Sequence, residues 1–270
     1  MESEAHDSTS ELESFKSAKL WEGGFMDADP LVPLSWSSYT SNGFVSIYYA
    51  MYMAAIRPYM PAGAKVLEIG PGHGAWTRAL IKAGASRVYA LDVQSREFNG
   101  IDRWLKEDGE KLEYFVVDDC SCSMIADQSM DFFWSFGAFV HMSAKIQSDY
   151  IASAYSKLKA GSHGFIQYAD MDIWNSIVKE PRCRIHDLLA DVMGGEEGEA
   201  IRTALKNNDR VRARDEIPEI VRTWDVVAPG RYYYVGKQWM TETVAAAGFE
   251  VIDGNFMENM RDPVVHFRKA

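Results

Sequence analysis

Cysteine is scarce in this chain: three in 270 residues, at Cys120, Cys122 and Cys183. No C-x-x-C pair and no second Cys/His pair at zinc spacing accompanies them, which excludes a disulfide framework and a zinc module. All three read as reduced thiols, the usage of a cytoplasmic protein. Long apolar runs are missing too. The stretch Val45 to Ile56 is too short to span a bilayer, and Arg57-Pro58 ends it. The acidic opening MESEAHDSTSELES lacks the basic end and apolar stretch of a secretory signal. Positive charge is in deficit, with 28 Lys and Arg against 39 Asp and Glu and a net charge of −11. That field repels phosphate backbones, so neither nucleic acid nor a membrane is an expected partner; self-association is compatible with the sequence. Apolar residues at 47% are nonetheless enough to bury a full core without staples.

Residues 1–16 are polar and acidic and read as a mobile leader. Residues 17–62 pass from Gly, Pro and Trp without periodicity to a helix carrying Phe44, Ile47, Tyr48, Met51, Tyr52 and Ala55, stopped by Pro58 and Pro61. This segment is expected to cover the site. Then a rhythm sets in. Strand Lys65 to Ile69 leads through Gly70-Pro71-Gly72-His73-Gly74 into a helix from Ala75 to Ala83. Strand Arg87 to Leu91 ends on Asp92, a polar helix spans Glu97 to Asp108, and strand Glu113 to Val117 ends on Asp118-Asp119. Met130 to Ser135 reads as a buried strand, Ala144 to Lys159 as a helix and Gly164 to Ala169 as a fifth strand, followed by Asp170. Strand-then-helix units joined by short turns predict an α/β fold with a mostly parallel, doubly wound sheet. Residues 172–231 break the rhythm and read as a helical insertion after strand 5, a candidate substrate lid. A helix from Lys237 to Ala247 and two strands, Phe249 to Asn255 and Pro263 to Arg268, resume it. The core is therefore predicted over 63–171 and 232–270.

Three glycines in the five residues between a strand and a helix let the backbone approach a ligand, with the helix's free N–H groups adding positive potential. The turn also satisfies the dinucleotide fingerprint in its final-Ala form, with Gly70, Gly72 and Ala75 in the three places. The acids decide between ligands. Glu68, two residues before the first glycine, would repel a pyrophosphate but hold an ammonium group. Asp92, 18 residues past Gly74, can accept two hydrogen bonds from a ribose diol. Asp119, at the end of the third strand, can accept from an adenine amine. One acid each for an amine, a ribose and an adenine describes S-adenosylmethionine better than NAD.

In these stretches the chain resembles the class I S-adenosylmethionine-dependent methyltransferases of small-molecule type. The matching pieces are Val66 to Gly74, Leu91-Asp92-Val93, Val117-Asp118-Asp119-Cys120 and Asp131 to Phe136. The resemblance covers about residues 63–170 and 232–270. It implies a seven-stranded, Rossmann-like sheet whose last strand is antiparallel, and cofactor contacts from Glu68, Gly70, Gly72, Gly74, Asp92, Asp119, Cys120 and Ser135. Asp118 stands where the family often has Gly, which leaves open whether Asp118 or Asp119 faces adenine. His73 stands where a small residue is common.

The substrate is expected beyond the fourth and fifth strands, which selects Phe136, Phe139 and His141 after one and Asp170 after the other. His141 is the candidate general base, because its ordinary pKa suits proton removal at neutral pH. Asp170 is the alternative base, or the group that orients His141. Magnesium under Asp170 and Asp172 would suit a sugar methyltransferase, but no metal motif is present and none is expected. Trp36, Tyr39, Arg231 and Tyr232 are candidate substrate contacts from the covering segments. The expectation is O-methylation of a small molecule, a sugar or a phenolic natural product. N-methylation, an NAD(P)-dependent oxidoreductase and a non-catalytic S-adenosylmethionine-binding module are the alternatives.

Overall fold

The computed structural model describes residues 29–34, 41–42, 45–170, 195–196, 198–199, 235–257 and 262–270. Seven strands form one sheet: β1 Lys65–Ile69, β2 Arg87–Asp92, β3 Leu112–Val116, β4 Met130–Ser135, β5 Leu158–Gln167, β6 Phe249–Phe256 and β7 Val264–Lys269. Their order is β3-β2-β1-β4-β5-β7-β6. β1 to β5 run parallel, and β7 is antiparallel to both its neighbours. The predicted fold class is the observed one.

Four helices matter for the site: α1 Ile47–Met51, α2 Ala75–Lys82, α3 Ala144–Lys157 and α4 Gly236–Ala246. In β1, the central strand, Val66 faces one apolar layer with Met51, Trp76, Leu80 and Trp134. Leu67 and Ile69 face the other, with Ile146, Tyr150, Met240 and Val244 from α3 and α4. Apolar residues on both faces of a strand are what a parallel sheet covered on both sides requires. Among the described residues no helix is long and apolar enough to cross a membrane.

The structure corrects several boundaries. Pro58 does not stop the first helical segment. Beyond α1 the backbone widens into a π-turn over Tyr52–Ile56, where the Arg57 N–H bonds the Tyr52 carbonyl, and helix resumes over Arg57–Tyr59. Widening the ladder makes room for a proline that brings a ring and no N–H. The chain turns extended at Met60, as the residue before Pro61 must. The polar helix expected over 97–108 is broken at Gly100, which takes a left-handed conformation (φ +59°) and leaves short helices Arg96–Asn99 and Asp102–Leu105. α3 ends at Lys157, two residues early, and β5 starts immediately, because Lys159 is drawn to Asp131 at 2.5 Å on the neighbouring strand. The insertion proposed at 172–231 lies outside the described residues except at 195–196 and 198–199.

Candidate active site

The turn between β1 and α2 needs glycine for two separate reasons. Gly70 and Gly74 have φ of +69° and +85°, a region L side chains rarely adopt. A Cβ on Gly70 would also lie 2.3 Å from Ala138 Cβ, and one on Gly74 2.1 Å from Ile101 Cγ1. The first crowding matters most, since Ala138 belongs to the loop after β4; glycine lets the two loops close over a shared floor. Ser135 helps from beneath, its hydroxyl donating to the Ile69 carbonyl at 2.9 Å.

The loop after β2 is fixed to this turn. Gly72 N–H donates to Asp92 Oδ2 (3.4 Å), while Asp92 Oδ1 accepts from Gln94 N–H (2.9 Å). His73 Nδ1 lies 2.6 Å from the Asn99 carbonyl oxygen, which can only accept. Tyr114 braces the same loop, accepting from Asn99 Nδ2 and donating to the Gln94 carbonyl, both at 2.8 Å. His73, which departs from the resembled pattern, thus works as a tie.

Between these loops lies an open cleft of about 910 Å³, counting the solvent at its mouth. Its floor is Ile69, Gly70, Gly72 and Ala75; Asp92 and Val93 flank it on the β2 side. Tyr48, His73, Trp76, Phe136, His141, Met142 and Tyr150 contribute larger side chains to the lining. Among the described residues Asp92 is the one carboxylate in the lining, and burial pushes it up to about 6. No side chain caps α2, so its first-turn N–H groups face the turn unscreened.

Of the residues singled out from sequence, Gly70, Gly72, Asp92, Phe136 and His141 line the cleft. Gly74 shapes the turn without lining it. The remainder either do not line it or lie outside the described residues. Glu68 sits behind the turn with Thr77 Oγ1 donating to it at 2.7 Å, and burial raises it to about 8. It supports the α2 end from within and is no part of the cleft wall. Asp119 lies past the end of β3, its Oδ1 taken by Ser121 N–H (2.8 Å) and Oγ (2.7 Å). Cys120 is buried in the core beside Cys122, and burial pushes both thiols up to about 12, so they stay protonated. Phe139 is wholly buried against Tyr150, because the 3₁₀ turn Phe139–His141 sends it inward. Asp170 accepts from the Lys237 N–H at 2.9 Å at the start of α4 and does not line the cleft. Trp36, Tyr39, Arg231, Tyr232 and Asp172 lie outside the described residues. Among the described residues no group of three or more His, Cys, Asp or Glu gathers as a metal site would require.

Sequence reasoning missed Tyr48, Trp76 and Tyr150, all read as core faces of helices. It also missed Gln147. This fully buried side chain donates from Nε2 to the carbonyls of Phe139 (2.9 Å) and Met142 (2.8 Å), the residues that bracket the His141 turn. No periodicity announces such a role.

The arrangement can hold a diol at Asp92, bring a backbone-lined floor against a ligand at Gly70, and present an imidazole from the β4 side. S-adenosylmethionine fits those features: a ribose at the buried carboxylate, and close backbone contact where a Cβ would collide. A family model described as a methyltransferase domain matches residues 66–161, a span that contains the glycine turn, Asp92 and His141. No curated protein sequence matches the chain. Among solved structures, the [4+2]-cyclase SpnF is 15% identical and covers 90% of this chain and 70% of its own, with a TM-score of 0.51. A Bordetella parapertussis protein is 13% identical over 82% and 66%, with a TM-score of 0.51. The pyocyanin biosynthetic protein PhzM is 12% identical over 81% and 54%, with a TM-score of 0.50. Such identities establish a shared fold and nothing finer. Residues 66–161, with the glycine turn and the strand order around it, thus form a Rossmann-like domain similar to the methyltransferase-domain family.

Proposed function

We propose that this protein transfers a methyl group to a hydroxyl oxygen of a small molecule, with His141 as the general base. The observation that carries this reading is the position of His141: in the cleft wall after β4, across from Asp92 at the end of β2. Ligands of open α/β sheets lie across the carboxyl ends of the strands. A ribose at Asp92 therefore directs the reactive end of the cofactor past β1 towards β4, where the imidazole is.

Bound S-adenosylmethionine supplies an electrophilic methyl group, and the chain's own residues do the rest. Asp92 accepts from the ribose hydroxyls, and the Gly70–Gly72 backbone sets how deeply the ligand sits. His141 takes the proton of the attacking hydroxyl, so that the oxygen gains nucleophilicity as the bond forms. Gln147 holds the turn that carries this ring by two backbone carbonyls. A neutral amine already carries a nucleophilic lone pair and needs chiefly orientation, whereas a hydroxyl gains from proton removal as it attacks, so a positioned imidazole favours the hydroxyl. The fold alone does not name this chemistry, as the fold shared with a [4+2]-cyclase illustrates.

The test is His141→Ala at saturating S-adenosylmethionine with an acceptor identified from a metabolite screen. Turnover is expected to fall by roughly 10²- to 10⁴-fold, with affinity for S-adenosylhomocysteine little changed. Unchanged turnover would remove His141 as the base and the hydroxyl preference with it.

A further inference from the structure

We infer that the acceptor is an uncharged, planar aromatic hydroxyl compound seated against a wall formed by Tyr48, Trp76 and Phe136. The inference rests on the methyl-transfer reading and narrows its substrate class. The three rings come from three separate elements and meet at one point. Ring centroids lie 5.5 Å apart for Tyr48 and Trp76, 5.3 Å for Tyr48 and Phe136, and 4.6 Å for Trp76 and Phe136. Trp134 backs them, stacked on Phe136 at 6.0 Å and tilted on Trp76 at 4.9 Å. Rings this tightly braced are a rigid surface, so an aromatic ligand meets them without ordering them first.

The wall is on the reactive side. Phe136 directly follows β4, and His141 lies five residues further on in the same loop, while Asp92 holds the opposite side. An acceptor resting on the wall thus lies beside the imidazole that would deprotonate it.

What the lining omits sets the charge of the acceptor. Among the described residues no Lys or Arg lines the cleft, and its one carboxylate is Asp92. A phosphate or carboxylate on the acceptor would be desolvated with no cationic partner among these residues. Besides Asp92, polar side chains among the described lining residues are also few: His73, His141, the Tyr48 hydroxyl, and the Tyr150 hydroxyl, which donates to the Asp119 carbonyl at 3.4 Å. A sugar, with a hydroxyl on nearly every carbon, would leave most of them unpaired there. A phenol-type ring presents one hydroxyl to His141 and an apolar body to the wall.

The experiment measures equilibrium binding of three probes to protein saturated with S-adenosylhomocysteine: 2-naphthol, 2-naphthyl phosphate and methyl β-glucoside. We expect 2-naphthol to bind and the phosphate ester to bind at least roughly tenfold more weakly. Methyl β-glucoside should bind more weakly than 2-naphthol as well. Tyr48→Leu should weaken 2-naphthol by about fivefold, Tyr48→Phe by less than about twofold, with S-adenosylhomocysteine affinity held in both. Phosphate-ester binding equal to or tighter than naphthol, preferential binding of the glucoside, or indifference to Tyr48→Leu would overturn the inference. A protein that fails to bind S-adenosylhomocysteine loses both readings; one that binds it but not 2-naphthol loses this one alone.

Discussion

Gly70 shows how much one side chain's absence can carry. Its left-handed backbone would tax any other residue, but the contact with Ala138 is the harder limit, because an added methyl has no flexible neighbour to push aside. Gly70→Ala is expected to cost about 1–3 kcal/mol of stability and to weaken S-adenosylhomocysteine by at least roughly tenfold, since relief of the clash must move the β4 loop that frames the cleft. Calorimetric titration beside a thermal melt checks both; a stability loss with intact affinity would mean that the loops are not coupled. Residues of this kind are legible in a sequence, because a backbone demand is local and glycine is its signature. Asp92 and His141 are legible for a similar reason: each ends or closely follows a strand, where the fold presents side chains to ligand. Glu68 is not. Its partner Thr77 lies on the next helix, so whether the carboxylate meets an ammonium or a hydroxyl depends on packing that spacing does not encode. Phe136 and Phe139 look alike in sequence, and a single 3₁₀ turn sends one to the cleft and the other to the core.

Among the elements, α3 has a duty beyond covering the sheet. Its Ile146, Tyr150, Ile151 and Ala154 build the core face that helical periodicity predicts, while Gln147, one position off that stripe, holds the His141 turn by two carbonyls. Gln147→Leu should reduce turnover by about tenfold and shift the pH dependence of kcat/KM, with cofactor affinity unaltered, because the imidazole loses its fixed orientation. Gln147→Met, which removes the donors but keeps the length of the side chain, should reproduce the loss. A protein with normal turnover and only a lowered Tm would reduce Gln147 to a packing role. The parallel, two-sided sheet is legible in the strand-then-helix rhythm and the short turns, while the strand order is not. Nor are the breaks: the π-turn before Pro58 and the split at Gly100 answer to local backbone geometry that a periodic pattern averages away.

Across the molecule, buried titratable groups pull stability in opposite directions with pH. Glu68 and Asp92 are raised by burial to about 8 and about 6, so their contribution is full below the ordinary carboxylate range and is lost as pH rises through those values. His163 and His266, hydrogen-bonded ring to ring at 2.9 Å between β5 and β7, are lowered, His266 to about 4, chiefly by burial. Their contribution is full above the ordinary histidine value and is lost as pH falls towards 4. Between pH 7.5 and 8 the histidine pair is largely neutral in both states, and among the described groups with a shifted pKa Glu68 dominates. The Tm of the free protein should therefore decline over that interval, and Glu68→Gln should flatten the decline; equal slopes in the two proteins would rule out Glu68 as its source. The histidine pair lies on β7, and that strand has a history as well as a place. β7 follows the other six in sequence yet sits between β5 and β6, so β6 reaches the sheet solely through it. As the chain leaves the ribosome, β1 to β5 can assemble while the outer edge of β5 stays bare, and β6 emerges with nothing to pair with. Residues 264–269 close both gaps at once. A nascent chain stalled short of them would carry an almost finished domain with an open, apolar-backed edge, the form most exposed to chaperones and to aggregation.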